Sequence, residues 1–149
     1  MGAIDRMIRP AVMADIPFLL PMIAAYRDEV RPDLSGHTAT QLATLKQLIA
    51  HRRGCAMVLE LDHICGVLLG QAAPSAWWPE LTAEMMLWWV DPARRGSAGG
   101  AQLLTAFEDW ARDAGAGFVG ATYTGKSAAA YLGRRGYRHA EIRMMKDFG

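Results

Sequence analysis

Cysteine is scarce: Cys55 and Cys65 are the only two in 149 residues. They fall in neighbouring strand-like runs, so they read as buried thiols rather than as a disulfide framework. No excess of charge exists either, since 16 Lys and Arg against 15 Asp and Glu leave a formal net charge of +1. That removes the electrostatic footprint expected of a nucleic-acid binder. No apolar run reaches the length of a membrane span, and Met1 to Pro10 lack the long apolar core of a signal peptide. A cytoplasmic chain with no membrane or nucleic-acid partner is the expectation. The four histidines, His37, His51, His63 and His139, are scattered without a His-x-x-x-His spacing, so no metal is expected. There is no Gly-x-Ser-x-Gly elbow, and neither cysteine sits in a catalytic signature. A covalent mechanism therefore has no support. No repeat, low-complexity tract or long linker divides the chain, which reads as one domain over 1–149.

What is present is a succession of short periodic segments. Met7 to Ala11 reads as a first strand. Asp15 is placed to cap a helix whose apolar positions are Ile16, Leu19, Leu20, Ile23 and Val30. Pro21 lies past the first turn of that helix and predicts a kink or a delayed start. Thr38-x-x-Gln41 has the pattern of a capping box, with Leu42, Leu45, Leu48 and Ile49 as the buried face behind it. Cys55 to Leu61 and Ile64 to Ala73 read as paired strands across Asp62-His63. Pro74 to Glu80 is a loop carrying Trp77 and Trp78, for which an acceptor pocket, a dimer contact and plugging of the core are all open readings. Ala83 to Val90 is a further strand, on which Trp88 and Trp89 point to opposite faces. Phe118 to Thr122 is a short strand, Ser127 to Arg135 a short helix, and Tyr137 to Lys146 a closing strand or pair of strands.

The most informative stretch runs from Val90 to Ala101. It follows the apolar run Met85 to Val90 and precedes Leu103, Leu104, Phe107, Trp110, Ala111 and Ala114, whose spacing makes one apolar helix face ending near Gly115 and Gly117. The order is strand, basic Gly-rich turn, helix. A helix start leaves backbone N–H groups unpaired and carries partial positive charge. Small residues let a phosphate approach those groups, so the segment reads as a diphosphate cradle or as a plain Gly-rich turn. The spacing matches neither a Walker A loop nor a dinucleotide fingerprint.

The string Val90-Asp91-Pro92 followed by Arg95 and Gly100 resembles the acetyl-CoA loop of the GCN5-related N-acetyltransferases, Gln/Arg-x-x-Gly-x-Gly/Ala. Ala98 stands where the middle Gly is usual. The opening Ile8-Arg9-Pro10-Ala11 with Ala14-Asp15, and the closing Leu132-Gly133-Arg134-Arg135-Gly136-Tyr137, resemble the same family. So does the element order βααβββαβαβ. The resemblance implies an α/β fold with a mixed, mostly antiparallel sheet of six to seven strands flanked by four helices.

It also implies transfer of an acetyl group from acetyl-CoA to the amine of a small molecule or protein, by direct attack in a ternary complex. Carried over, the backbone from Arg95 through Gly96, Ser97, Ala98, Gly99, Gly100 and Ala101 would hold the diphosphate, with Arg94 and Arg95 adding charge or one of them merely solvated. The backbone of Trp88, Trp89 and Val90 would pair with the pantetheine arm, and the Val90 N–H would face the thioester oxygen. A Tyr commonly stands four residues before the closing Gly; here that position is Leu132. Tyr131 is one residue earlier and so rotated by roughly 100° on a helix, which makes it either the remaining catalytic candidate or a core or rim aromatic. The Asn usual at the start of the last helix is Gly125, leaving Lys126 and Ser127 to touch the cofactor. Glu84 is the candidate base or a solvated strand end. Asp28 and Glu29 are rival bases or amine-binding acids, or an ordinary helix end. Tyr26 and Arg27 lie where the family's acceptor-side helices are. A homodimer is a family-level expectation. The competing function is a non-catalytic acyl-CoA-binding or interaction module on the same fold, which Leu132 and Gly125 favour.

Overall fold

The computed structural model describes residues 7–124 and 126–149. Met1 to Arg6, part of the segment read for a signal peptide, and Gly125 lie outside the described residues. Five strands form one sheet in chain order: β1 (Ile8–Pro10), β2 (Gly54–Glu60), β3 (Ile64–Pro74), β4 (Leu81–Val90) and β5 (Ala116–Gly120). The first three pairings are antiparallel and β4 with β5 is parallel. Four α-helices accompany them: α1 (Ile16–Val30), α2 (Thr38–Ala50), α3 (Gly99–Asp113) and α4 (Lys126–Arg134). No helix among the described residues is long and apolar enough to cross a membrane.

Alternation along the strands sends side chains to two separate cores. On one face Val58, Val67, Leu69, Leu87 and Trp89 meet Ile16, Leu19 and Met22 of α1 and Leu45 and Leu48 of α2. On the other, Leu59, Leu68, Ala83, Met85 and Val90 meet Leu103, Leu104, Phe107 and Ala111 of α3, with Leu132 of α4 sealed beside them. Cys55 and Cys65 are both free and buried, and loss of hydration pushes the Cys55 thiol up to about 12.

Three local expectations are corrected. Asp15 makes no side-chain cap on α1; its carboxylate accepts from the Val12 N–H and takes a two-pronged bond from Arg9, which also reaches Glu60 on β2. Arg9 competes for the oxygens a cap would have used. Helix α1 begins at Ile16, with Pro17 in the first turn where a missing N–H costs nothing, and runs on through Pro21. The residue capping α2 is His37, whose Nδ1 accepts from the Thr40 N–H at 3.2 Å, in place of a Thr38–Gln41 box.

The largest correction concerns the sheet, which has five strands and not six to seven. Residues 137–149 form no strand. Side-chain bonds hold this segment instead of a ladder: Tyr137 Oη donates to Glu108 at 2.9 Å, and His139 Nε2 meets Tyr123 Oη at 2.5 Å. Ile142, Met144 and Phe148 beyond them are exposed.

Candidate acyl-transfer site

The pairing of β4 changes character along its length. Toward β3 it is continuous from Leu81 opposite Pro74 to Val90 opposite Gly66, with one irregularity: Gly70 faces Met85 while Leu69 faces Leu87. Met86 is therefore an extra residue, a β-bulge, which bends the strand and adds local twist. Gly70 is required opposite the bulge, because a Cβ there would collide with the Phe107 ring. Toward β5 the pairing stops at Glu84 opposite Gly120. From the bulge onward β4 has β3 on one side and an open edge on the other.

Which backbone groups face that opening follows from the register. The Asp91 N–H donates to the Cys65 carbonyl at 2.8 Å, while Val90 stands opposite Gly66. Val90 and Gly66 are then a non-hydrogen-bonded pair, so the N–H and C=O of Val90 point away from β3. Trp88, two residues earlier, shares that orientation. Trp89 lies between them, and its N–H and C=O serve the β3 ladder. Of the three residues expected to offer backbone to a cofactor arm, the outward-facing ones are Trp88 and Val90.

The turn after β4 delivers the second half of the site. Pro92–Arg94 form one 3-10 turn, started by Asp91, whose side chain accepts from the Ala93 N–H. Gly96 takes φ +90°, the left-handed region that favours glycine. Ala98 sits at φ −73°, ψ −7°, ordinary right-handed backbone, so a methyl group there carries no strain. Ser97 Oγ donates to the Arg94 carbonyl and folds the turn on itself. Gly99 begins α3 against Leu59, whose side chain fills the place a Cβ would take. The N–H groups of Gly100 and Ala101 have no acceptor among the described residues. The Trp88 indole N–H donates to the Gly100 carbonyl at 3.1 Å and fixes the helix start against β4. Free N–H groups and the helix dipole thus meet beside the open edge.

Each of the two arginines has a carboxylate partner. Arg94 pairs with Asp62 at 2.7 Å. Arg95 donates through Nε to the Val90 carbonyl at 2.7 Å and through both terminal nitrogens to Glu29 at 2.8 and 2.7 Å. Glu29 also accepts from the Trp89 indole at 3.0 Å. Arg95 beside it holds its carboxyl down at about 2, and both of its oxygens are engaged. Asp28 is exposed and pairs with Arg27.

Glu84 lies at the last residue pair before the opening, and its carboxylate occupies the space over Gly120 that a Cβ would need. Ala83 and Met85 point into the α3 core, so Glu84 points to the α1 face. Loss of hydration, and secondly the negative charge of Glu141, raise its carboxyl above the usual range. Glu141 belongs to the segment expected to be a closing strand, and nothing in the sequence linked it to Glu84.

Tyr131 is half-buried, its ring 6.1 Å from that of Trp88, and its hydroxyl accepts from Arg135. Arg135 in turn is paired with Glu108. Leu132 is buried in the α3 core at 3% exposure, so the position of the usual Tyr does not reach the opening. Lys126 and Ser127 stand at the start of α4. Trp77 is 85% exposed and Trp78 packs edge-on against Phe118, so neither plugs the core.

The profile of the acetyltransferase (GNAT) family matches residues 21–137. Solved structures share the architecture. An integron cassette protein from the mobile metagenome of Cole Harbour Salt Marsh superposes with TM-score 0.81 at 16% identity, over 98% of this chain and 93% of its own. Glucosamine-6-phosphate N-acetyltransferase from Arabidopsis thaliana gives 0.75 at 13%, over 95% and 97%. An aminoglycoside acetyltransferase from an uncultured soil metagenomic sample, in complex with sisomicin, gives 0.69 at 18%, over 98% and 97%. At such identities these likenesses are of fold. A comparison with curated protein sequences finds no match.

Proposed function

Since the chain belongs to the GNAT acetyltransferase family, we propose that it transfers the acetyl group of acetyl-CoA to an amine by direct attack. The observation that carries this reading is the coincidence of two backbone surfaces beside one opening: the outward N–H and C=O of Trp88 with the outward N–H of Val90, whose carbonyl Arg95 already caps, and the free N–H groups of Gly100 and Ala101. A ligand with a diphosphate and an amide-bearing arm satisfies both.

When bound, acetyl-CoA supplies a thioester carbon for the amine to attack. Within the chain, the Gly100 and Ala101 N–H groups and the positive end of α3 hold the diphosphate. Trp88 and Val90 pair with the arm as an added strand, and the Val90 N–H faces the thioester oxygen, where it stabilises developing negative charge. Glu84, with its raised carboxyl, accepts the proton that the amine must lose, directly or through a water. In this reading Tyr131, whose ring lies beside that of Trp88, and Lys126 and Ser127, at the start of α4, are the further side chains that touch the cofactor. A departing CoA thiolate has an ordinary thiol pKa of about 8.5, so protonation by solvent suffices if Tyr131 does not contribute.

Calorimetric titration with acetyl-CoA, followed by an amine panel for turnover, tests the reading. Micromolar binding and acetylation of at least one amine are expected. In Gly100→Glu the new Cβ meets Val90 and Trp88 only at ordinary contact distances, 3.6 and 3.9 Å, so the fold accommodates it. Its carboxylate then opposes the diphosphate and lowers affinity by about 100-fold or more. Unchanged affinity would remove the cradle assignment.

A further inference from the structure

Helix α1 and the cofactor turn are joined by one cluster beside Val90. The Glu29 carboxylate, on the last turn of α1, has both oxygens engaged: Oε1 by Arg95 Nη1 and Oε2 by Arg95 Nη2 and Trp89 Nε1. The Arg95 guanidinium lies 5.7 Å from the centre of the Trp89 ring and gives its remaining Nε–H to the Val90 carbonyl. Arg95 thereby binds the end of β4, the turn that follows it and α1 together. A planar guanidinium gripping a carboxylate with two parallel bonds fixes direction as well as distance. The Val90 carbonyl is one of the groups that points into the opening, and Arg95 caps it from the turn.

We propose that Glu29 is a positioning residue for the acyl-transfer site: through Arg95 it sets the cradle turn against β4 and ties α1 to it. This rests on the acetyl-CoA reading above. Among the described residues Glu29 makes no hydrogen bond or ion pair with Gly96 to Ala101, so its polar link to the cradle passes through Arg95. Without the carboxylate, the guanidinium loses its partner, the turn from Asp91 to Ala98 gains freedom, and the free N–H groups of Gly100 and Ala101 are no longer held at one distance from Val90. Preorganisation of these donors is what the clamp contributes.

The tests are acetyl-CoA titration and amide hydrogen exchange on the wild type, Glu29→Gln and Glu29→Asp. Gln keeps an oxygen for the Trp89 indole but drops the charge; Asp keeps the charge. Both partners are more than a third exposed, so the effect is discounted for screening: Glu29→Gln weakens acetyl-CoA binding by about fivefold. Amides from Arg95 to Ala101 exchange faster in the same variant, and Glu29→Asp recovers most of both losses. Wild-type affinity and wild-type exchange in Glu29→Gln overturn the proposal. A lowered melting temperature with neither change makes Glu29 a purely structural residue and also overturns it. If the wild type binds no acetyl-CoA, the functional reading fails and the positioning role fails with it, whereas intact wild-type binding with an indifferent Glu29→Gln removes the clamp alone.

Discussion

The two edges of β4 behave as different materials. Along β3, from Leu81 to Val90, the strand is zipped through its whole length and backed by Phe107 and Leu69. Along β5 it is zipped only from Leu81 to Glu84, after which its backbone faces open space. One strand is thus scaffold on one side and binding surface on the other. The change between the two regimes is made by one inserted residue, Met86. The lesson is that unpaired backbone is affordable at a site only where the opposite edge is fully paired, because the closed ladder holds the open groups in place.

Breaking the closed side should have the largest effect. Phe107 is fully buried and lies against Gly70 at the bulge. Phe107→Ala should lower unfolding free energy by about 3–5 kcal/mol, read by denaturant titration. A loss under 1 kcal/mol would mean that the bulge needs no backing. Breaking the open side should leave stability nearly unchanged and act on chemistry. Glu84→Gln should reduce kcat by about 100-fold and abolish the acidic limb of the pH–rate profile. Because the folded carboxyl is raised, that limb in the wild type lies above the ordinary value of 4.5, with activity gained as pH rises through it. A profile indifferent to Glu84→Gln would assign the proton transfer elsewhere. Glu141→Gln is the finest probe. It removes the second cause of the raised Glu84 carboxyl, so the limb should move to lower pH while kcat at its plateau changes little. No displacement would show that loss of hydration alone raises Glu84.

Much of this arrangement was legible along the chain because its signals are local. The α3 stripe of Leu103, Leu104, Phe107 and Ala111, the β2–β3 hairpin around Asp62-His63, and the turn from Asp91 to Gly100 each carry their own periodicity or turn residues. Readings failed where a distant partner outbid a local pattern. Asp15 looks like a helix cap, but Arg9 claims its carboxylate. The engagement of Arg95 by Glu29, in another helix, likewise has no local signal. The bulge at Met86 has no signature at all: Met85 to Val90 is an unbroken apolar run, and an extra residue in such a run does not disturb any pattern. Tyr137 to Lys146 has strand-like composition, yet the bonds of Tyr137 and His139 hold it as an irregular segment. Glu84, read as a strand end far from Val90, stands at the mouth of the opening because the pairing with β5 ends there and not at Val90.

Glu84 and Trp89 are five positions apart, an odd number, and in a regular strand they would lie on opposite faces. They share the α1 face because Met86 adds one step between them. An in-frame loss of the Met86 codon would leave every other named side chain in the gene. It would nonetheless exchange inside for outside along half the strand, turning Trp89 toward α3 and Trp88 toward α1. The site's handedness is therefore stored in the count of residues between Met85 and Leu87, a quantity to which a survey of amino-acid substitutions is blind.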